Sequence, residues 1–360
     1  MDVLNPSEKD TEMIVVMEVN SDKKLINDVV IKIKELGYST HIIEGVERTV
    51  IGAVGDERGK ARLQSLESMP GVESVVPILK PFKLASKQMR KEGSVIAIND
   101  DIKVGSKEFI VMAGPCSVES EEQIIETAKK VKASGAQILR GGAFKPRTSP
   151  YSFQGMEEDG LKLLALAREE TGLPFVTEIM NPREVDLVAK YSDILQVGAR
   201  NVQNFSLLKE IGKTNKPILL KRGMMTTIQE FLMSAEYIMS EGNHEVILCE
   251  RGIRTFETAT RNTLDLSCIP VLKSETHLPI IIDPSHGTGY WYYVNSMCKA
   301  SAAAGADGLM VEVHIKPEEA FSDGGQSLKP SKFDAMMKEL IPFVEAAGRT
   351  LKGKATGKGV

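Results

Sequence analysis

From Phe109 to Val313 the chain repeats one pattern, a brief apolar run followed by a longer stretch with apolar residues at helical spacing. The runs fall at 109–113, 137–139, 175–177, 194–197, 218–220, 246–248, 280–282 and 308–313. Amphipathic stretches separate them, among them 121–133, 160–170 and 228–239. Strand-then-helix units dictate a parallel sheet, because each helix carries the chain back before the next strand begins. About eight such units predict a closed (β/α)8 TIM barrel, an α/β fold. An open doubly wound sheet is the alternative, but it carries Gly-x-Gly-x-x-Gly after its first strand. Here that position reads Gly114-Pro115-Cys116-Ser117.

Upstream the order changes. Strand patterns at 13–19, 40–43, 49–54 and 72–76 alternate with helical patterns at 23–35 and 60–68, the latter stopped by Pro70-Gly71. This βαββαβ order predicts a small ferredoxin-like domain. The Lys-rich stretch 77–90 holds two prolines and reads as a linker, and 95–104 reads as a hairpin turning at Asn99-Asp100. The expected layout is a regulatory domain over 1–80, a linker over 81–94, a catalytic barrel over 95–347 and a frayed basic tail over 348–360.

Composition narrows the function. A formal charge of −4 gives no general affinity for nucleic acid or an anionic membrane, so any basic cluster must be local. No apolar run reaches the ~20 residues of a membrane span, and the acidic, polar start does not read as a signal peptide. Cys116, Cys249, Cys268 and Cys298 form no Cys-x-x-Cys pair, as expected of reduced thiols in the cytoplasm.

The chemistry is positional, since barrel enzymes work at the C-terminal ends of their strands. Arg200, Lys221 and Arg251 follow three neighbouring strands and should converge. Three cations beside the backbone of small residues such as Ala199 suit a phosphate. Arg140, Lys145 and Arg147 form a second cluster, so a pair of multiply anionic substrates is expected. Cys116 lies past the first barrel strand, His286 past the seventh, Glu312 near the end of the eighth, and Asp323 on the loop after it. Thiolate, imidazole and two carboxylates suit a divalent cation such as Mn, Fe, Co or Zn. Only barrel closure would gather residues so far apart. His314 could support the site or stand on its rim; His41, His244 and His277 have no comparable company.

The segments Gly114-Pro115-Cys116-Ser117, 139–150 (with Lys145-Pro146-Arg147-Thr148), Gly198-Ala199-Arg200-Asn201, Leu220-Lys221-Arg222-Gly223, Asp283-Pro284-Ser285-His286 and Val311-Glu312-Val313-His314 closely resemble 3-deoxy-D-arabino-heptulosonate-7-phosphate (DAHP) synthases. The resemblance is to the type I-beta branch with an N-terminal ferredoxin-like, ACT-like domain. It implies condensation of phosphoenolpyruvate with erythrose 4-phosphate, the first step of the shikimate pathway. It assigns Cys116, His286, Glu312 and Asp323 to one divalent metal ion. Arg200, Lys221, Arg251 and the Ala199 backbone would hold the phosphate of phosphoenolpyruvate and Arg140 and Lys145 its carboxylate, while Arg147 and Thr148 would contact erythrose 4-phosphate. Lys145, its pKa lowered by the neighbouring cations, would be the proton donor. Where relatives carry a basic residue or pair, this chain has the aromatic run Gly289-Tyr290-Trp291-Tyr292-Tyr293.

Two rivals remain. The sister octulosonate-phosphate synthases take arabinose 5-phosphate, and their loop reads Lys-Ala-Asn-Arg-Ser where this chain has Lys-Pro-Arg-Thr. An amino-acid sensor without turnover is the other reading, opposed by the complete set of ligands and cations. The resemblance further implies tyrosine or phenylalanine as an effector bound near His41, between N-terminal domains of a homotetramer or homodimer.

Overall fold

The computed structural model describes residues 10–45, 48–56, 60–77, 81–146 and 149–352. It divides into two compact units, Met1–Gly93 with Glu275–His277, and Ser94–Ser274 with Leu278–Val360.

The first unit runs β1 (Asp10–Met17), α1 (Lys23–Glu35), β2 (Ser39–Glu44), β3 (Thr49–Asp56), α2 (Lys60–Gln64), a 3-10 turn (Ser65–Ser68) and β4 (Val72–Pro77). Its antiparallel sheet has the order β2-β3-β1-β4, as the ferredoxin-like pattern requires. Asp22 caps α1 by accepting from Lys24 N at 3.2 Å. Val29, Val30 and Ile33 then share one face and pack with Met13, Val15 and Met17 of β1 and with Leu63 and Leu66. The segment expected to be a linker is instead a packed part of this unit. Phe82, Leu84, Ala85 and Met89 are buried. Met89 lies over Gly52, where a Cβ would meet its Cε at 2.9 Å. Lysines and prolines disguised this apolar spacing in the sequence.

The second unit opens with a two-stranded hairpin, β5 (Ile96–Ala97) and β6 (Lys103–Val104). Asn99 holds its turn by accepting from Asp101 N and Ile102 N. Eight parallel strands follow: β7 (Ile110–Gly114), β8 (Ile138–Arg140), β9 (Phe175–Ile179), β10 (Ile194–Val197), β11 (Ile218–Lys221), β12 (Val246–Glu250), β13 (Ile280–Ile282) and β14 (Gly308–Glu312). They close in sequence order, with β14 pairing back on β7 so that Glu312 lies opposite Gly114. Every residue of these eight strands is buried, because helices cover the outside and apolar side chains fill the inside. Ile110, Met112, Val176, Ile194, Leu219, Ile247, Ile281 and Met310 form the inner core, and Ile96 and Val104 of the hairpin join it from the N-terminal end. That end is therefore plugged, which leaves the other for chemistry.

The helices between and after the strands are α3 (Glu121–Ala133), α4 (Glu157–Thr171), α5 (Val185–Tyr191), α6 (Phe205–Gly212), α7 (Ile228–Met239), α8 (Cys268–Glu275), α9 (Pro284–Thr288), α10 (Trp291–Ala303) and α11 (Pro330–Ala346). No helix among the described residues is long and apolar enough to cross a membrane. The start of the expected frayed tail is pinned. Phe109 N donates to Thr350 O at 2.7 Å, Thr350 N to Lys107 O at 3.1 Å, and Arg349 pairs with Asp307. The aromatic run stands exposed at the start of α10, with Tyr290 stacked on Tyr292 at 5.4 Å between centroids.

Candidate active site

Barrel closure brings β13, β14 and β7 side by side, and four reactive side chains meet at their C-terminal ends. Cys116 follows β7, His286 lies in α9 after β13, Glu312 ends β14, and Asp323 stands in the loop beyond. One donor atom from each lies within 4.8 Å of all the others. Such spacing fits a cation with ligand bonds of roughly 2.0–2.4 Å, and the thiol, imidazole and carboxylates suit a borderline divalent ion. His286 Nδ1 is 2.7 Å from Asp283 Oδ2, which turns Nε2 toward Glu312 Oε1 at 3.4 Å. Burial lowers the His286 pKa against the pull of Asp283 and Glu312, so the ring is neutral and able to ligate. Burial, helped by Glu312, pushes the Cys116 thiol up to about 11. The thiol donates to Asp323 Oδ2 at 3.2 Å. Burial opposes ionisation of Asp323, but His286, Arg261 and that thiol outweigh it and hold its pKa at about 2. Asp323 takes a left-handed backbone, φ 51°, which aspartate tolerates at small cost.

Around this quartet stands a wall of cations. Arg140, Lys145, Ala199, Arg200, Lys221 and Arg251 line one cavity of about 300 Å³ together with His286 and Asp323. Arg140 Nη1 donates to Glu312 Oε1 at 2.9 Å and to Pro115 O at 2.7 Å. Lys221 Nζ sits 2.5 Å from Asp283 Oδ2. Arg251 is buried, its Nη1 donating to Gly252 O at a long 3.4 Å, and burial lowers its pKa. Lys145 Nζ donates to both Sγ and O of Cys116 at 3.0 Å. The expected lowering of the Lys145 pKa is not what the surroundings produce. Burial and Arg140 do press it down, but Cys116, Glu178 and Glu312 prevail and raise it. Lys145 is therefore a firmly charged ammonium. Arg147 and Thr148 lie outside the described residues.

Five contributors were given no role by the sequence. Glu178, near the end of β9, is buried; its Oε2 accepts from Gln196 Nε2 at 3.3 Å, and its Oε1 has no hydrogen-bond partner among the described residues. Both side chains line the cavity. Gly198 makes room for that carboxylate, since a Cβ there would lie 1.9 Å from Oε1. Arg261 Nη1 donates to Asp323 Oδ1 at 3.2 Å and to Gln326 Oε1 at 2.8 Å. Asp283 accepts from His286 N and faces Lys221 and the His286 ring at once, and these partners hold its pKa well below the ordinary 3.8 despite burial. A signal for it existed: Asp-Pro opening a helix is an N-cap followed by proline at the first helical position. His314 is not among the quartet; its Nε2 faces Glu119 Oε2 at 3.3 Å.

The comparisons with known proteins agree with this geometry. The pattern of the DAHP synthetase I family matches residues 86–345, and that of the DAHP synthase ferredoxin-like domain matches residues 13–80. A phospho-2-dehydro-3-deoxyheptonate aldolase of Thermotoga maritima is 50% identical over 336 residues, covering 93% of this chain and 99% of that protein. The crystal structure of a Thermotoga maritima protein of that name aligns with a TM-score of 0.74 at 48% identity, covering 95% of this chain and 99% of the other. A 2-dehydro-3-deoxyphosphooctonate aldolase of Syntrophobacter fumaroxidans is more distant, 30% identical and covering 66% of this chain and 88% of its own length. With both of its units matched and its barrel mouth furnished in this way, the chain belongs to the DAHP synthetase I family.

Proposed function

We propose that this enzyme condenses phosphoenolpyruvate, erythrose 4-phosphate and water to DAHP and inorganic phosphate, the first step of the shikimate pathway. One observation carries the reading. A thiol–imidazole–dicarboxylate quartet and the cations Arg140, Lys145, Arg200, Lys221 and Arg251 sit together at one barrel mouth. Such a wall favours multiply anionic substrates, because a cavity lined mainly by one sign of charge concentrates ions of the other.

In this reading Arg200, Lys221 and Arg251, with the Ala199 backbone, bind the phosphate of phosphoenolpyruvate, while Arg140 and Lys145 bind its carboxylate. Arg147 and Thr148 contact the erythrose 4-phosphate. Holding the two anions side by side offsets their repulsion and aligns C3 of phosphoenolpyruvate with the aldehyde carbon. Cys116, His286, Glu312 and Asp323 would hold one divalent ion of Mn, Fe, Co or Zn, which supplies Lewis-acid polarisation of a carbonyl when bound. The charged Lys145 then donates the proton to the alkoxide that forms as the C–C bond closes. Glu178, which lines the same cavity and whose Oε1 has no hydrogen-bond partner among the described residues, accepts a proton from the water that adds to C2. Collapse of the resulting hemiketal phosphate by C–O cleavage releases phosphate and leaves the keto sugar acid.

The test is phosphate release with each aldose in turn. Turnover with erythrose 4-phosphate is expected, with arabinose 5-phosphate much poorer. Preference for the five-carbon sugar would overturn the assignment, and no turnover with either would favour a sensor. We further propose that the ferredoxin-like domain binds tyrosine or phenylalanine near His41, in a homodimer or homotetramer in the cytoplasm. The four cysteines, all free and buried, accord with that compartment.

A further inference from the structure

Behind the quartet lies a second polar cluster that the proposed chemistry does not use. Ser117, next in the chain to Cys116, donates its hydroxyl to Glu119 Oε1 at 2.9 Å. The same Oε1 accepts from Phe321 N at 2.9 Å, two residues before Asp323. Ser117 Oγ is also 2.6 Å from Ser322 Oγ, the immediate neighbour of Asp323. Glu119 Oε2 faces His314 Nε2 at 3.3 Å, and His314 stands two residues past Glu312. The His314 tautomer is set by its other nitrogen. Nδ1 accepts from Lys316 N at 3.0 Å, so Nε2 carries the proton and donates to Glu119.

One carboxylate thus gathers the chain neighbours of three of the four quartet residues, and it reaches two separate stretches of chain, 116–119 and 312–323. The fourth, His286, has its own carboxylate in Asp283. The cluster is largely shielded from water: Ser117, His314 and Ser322 are buried and Glu119 is partly so. In such surroundings an unmatched donor costs more than an ordinary surface hydrogen bond returns, so the cluster has one favoured arrangement.

We propose that Glu119 is a positioning residue for the divalent ion, fixing Cys116 and Asp323 at the separation that ligation demands. It touches neither substrate nor ion. The inference rests on the metal-centre reading above, and the experiment separates the two. Metal-stripped full-length protein and its Glu119→Gln variant are titrated with Mn2+ while free Mn2+ is followed by its magnetic resonance signal. Co2+ is added in parallel, and the thiolate-to-cobalt absorption band is recorded. The amide put in place of the carboxylate cannot accept on both sides. Its NH2 group must face another donor, and Mn2+ affinity is expected to fall about 10–100-fold with a weakened thiolate band. The KM of the ion-saturated variant for phosphoenolpyruvate should stay close to wild type, which a general packing defect would not allow.

Unchanged Mn2+ affinity and an unchanged cobalt band in Glu119→Gln would overturn the proposal. A wild type that binds neither ion would overturn the metal-centre reading itself. Ser322→Ala removes only the link between the two serines and provides the milder variant if Glu119→Gln does not fold. A several-fold loss of Mn2+ affinity is expected there, and no loss would count equally against the clamp.

Discussion

Cys116 shows how one side chain links fold, acidity and metal capture. With its thiol pushed up to about 11, it enters the reaction with the ion as S–H and must lose that proton to ligate. Mn2+ affinity should therefore rise about tenfold per pH unit from about pH 7 to pH 10, with one proton released on binding. Calorimetry in two buffers of different ionisation heat measures that release, and a Cys116→Ser variant should lack it. Asp323 carries the opposite sign. Its pKa falls from 3.8 to about 2, so its contribution to stability is complete above about pH 4 and lost as pH drops through about 2. Asp323→Asn should flatten that part of the acid-unfolding curve of the metal-free protein, followed by urea midpoints. Lys145 is raised above its ordinary 10.5, so its deprotonation should leave no alkaline limb in the rate profile below about pH 10. An activity loss centred near pH 8 that Lys145→Arg shifts would contradict its assignment as a charged donor.

Elements were legible where caps and apolar runs coincide. The sequence reading of 121–133 and 228–239 matches α3 and α7, because Ser120 and Thr227 cap them with their side chains. Helix α4 starts three residues ahead of the expected 160, and its N-cap, Met156, makes no side-chain bond that a sequence could advertise. The strands were read short for a more telling reason. β8, β9, β11 and β12 run on through Arg140, Glu178, Lys221 and Glu250, polar residues that interrupt an apolar run yet are buried. Those are the positions where the chain departs from pattern to build a site. That is also why Glu178 escaped notice. At this scale α7 offers a clean measurement. Thr227 and Glu230 exchange bonds as a capping box, so Thr227→Ala should cost about 1 kcal/mol in urea unfolding without touching turnover.

For the molecule as a whole, strand order and ring closure followed from the repeated units, whereas the packed state of residues 81–93 did not. That segment matters for dissecting regulation. A chain beginning at Phe82 keeps the Leu84 carbonyl, which lies 2.7 Å from His277 Nε2. It should condense the substrates at close to the full rate while losing inhibition by tyrosine or phenylalanine. Persisting inhibition would place the effector in the barrel.

The seam between β14 and β7 joins the last barrel strand made to the first, and the quartet straddles it: Cys116 and Asp323, in contact, lie 207 positions apart in the chain. A polypeptide still emerging from the ribosome, or one truncated before its final strand, has no pocket for the ion. An ion bound by these four residues would have to load after synthesis and ring assembly are finished. An ion held by the quartet would act as a latch across the joint, slowing the ring's opening.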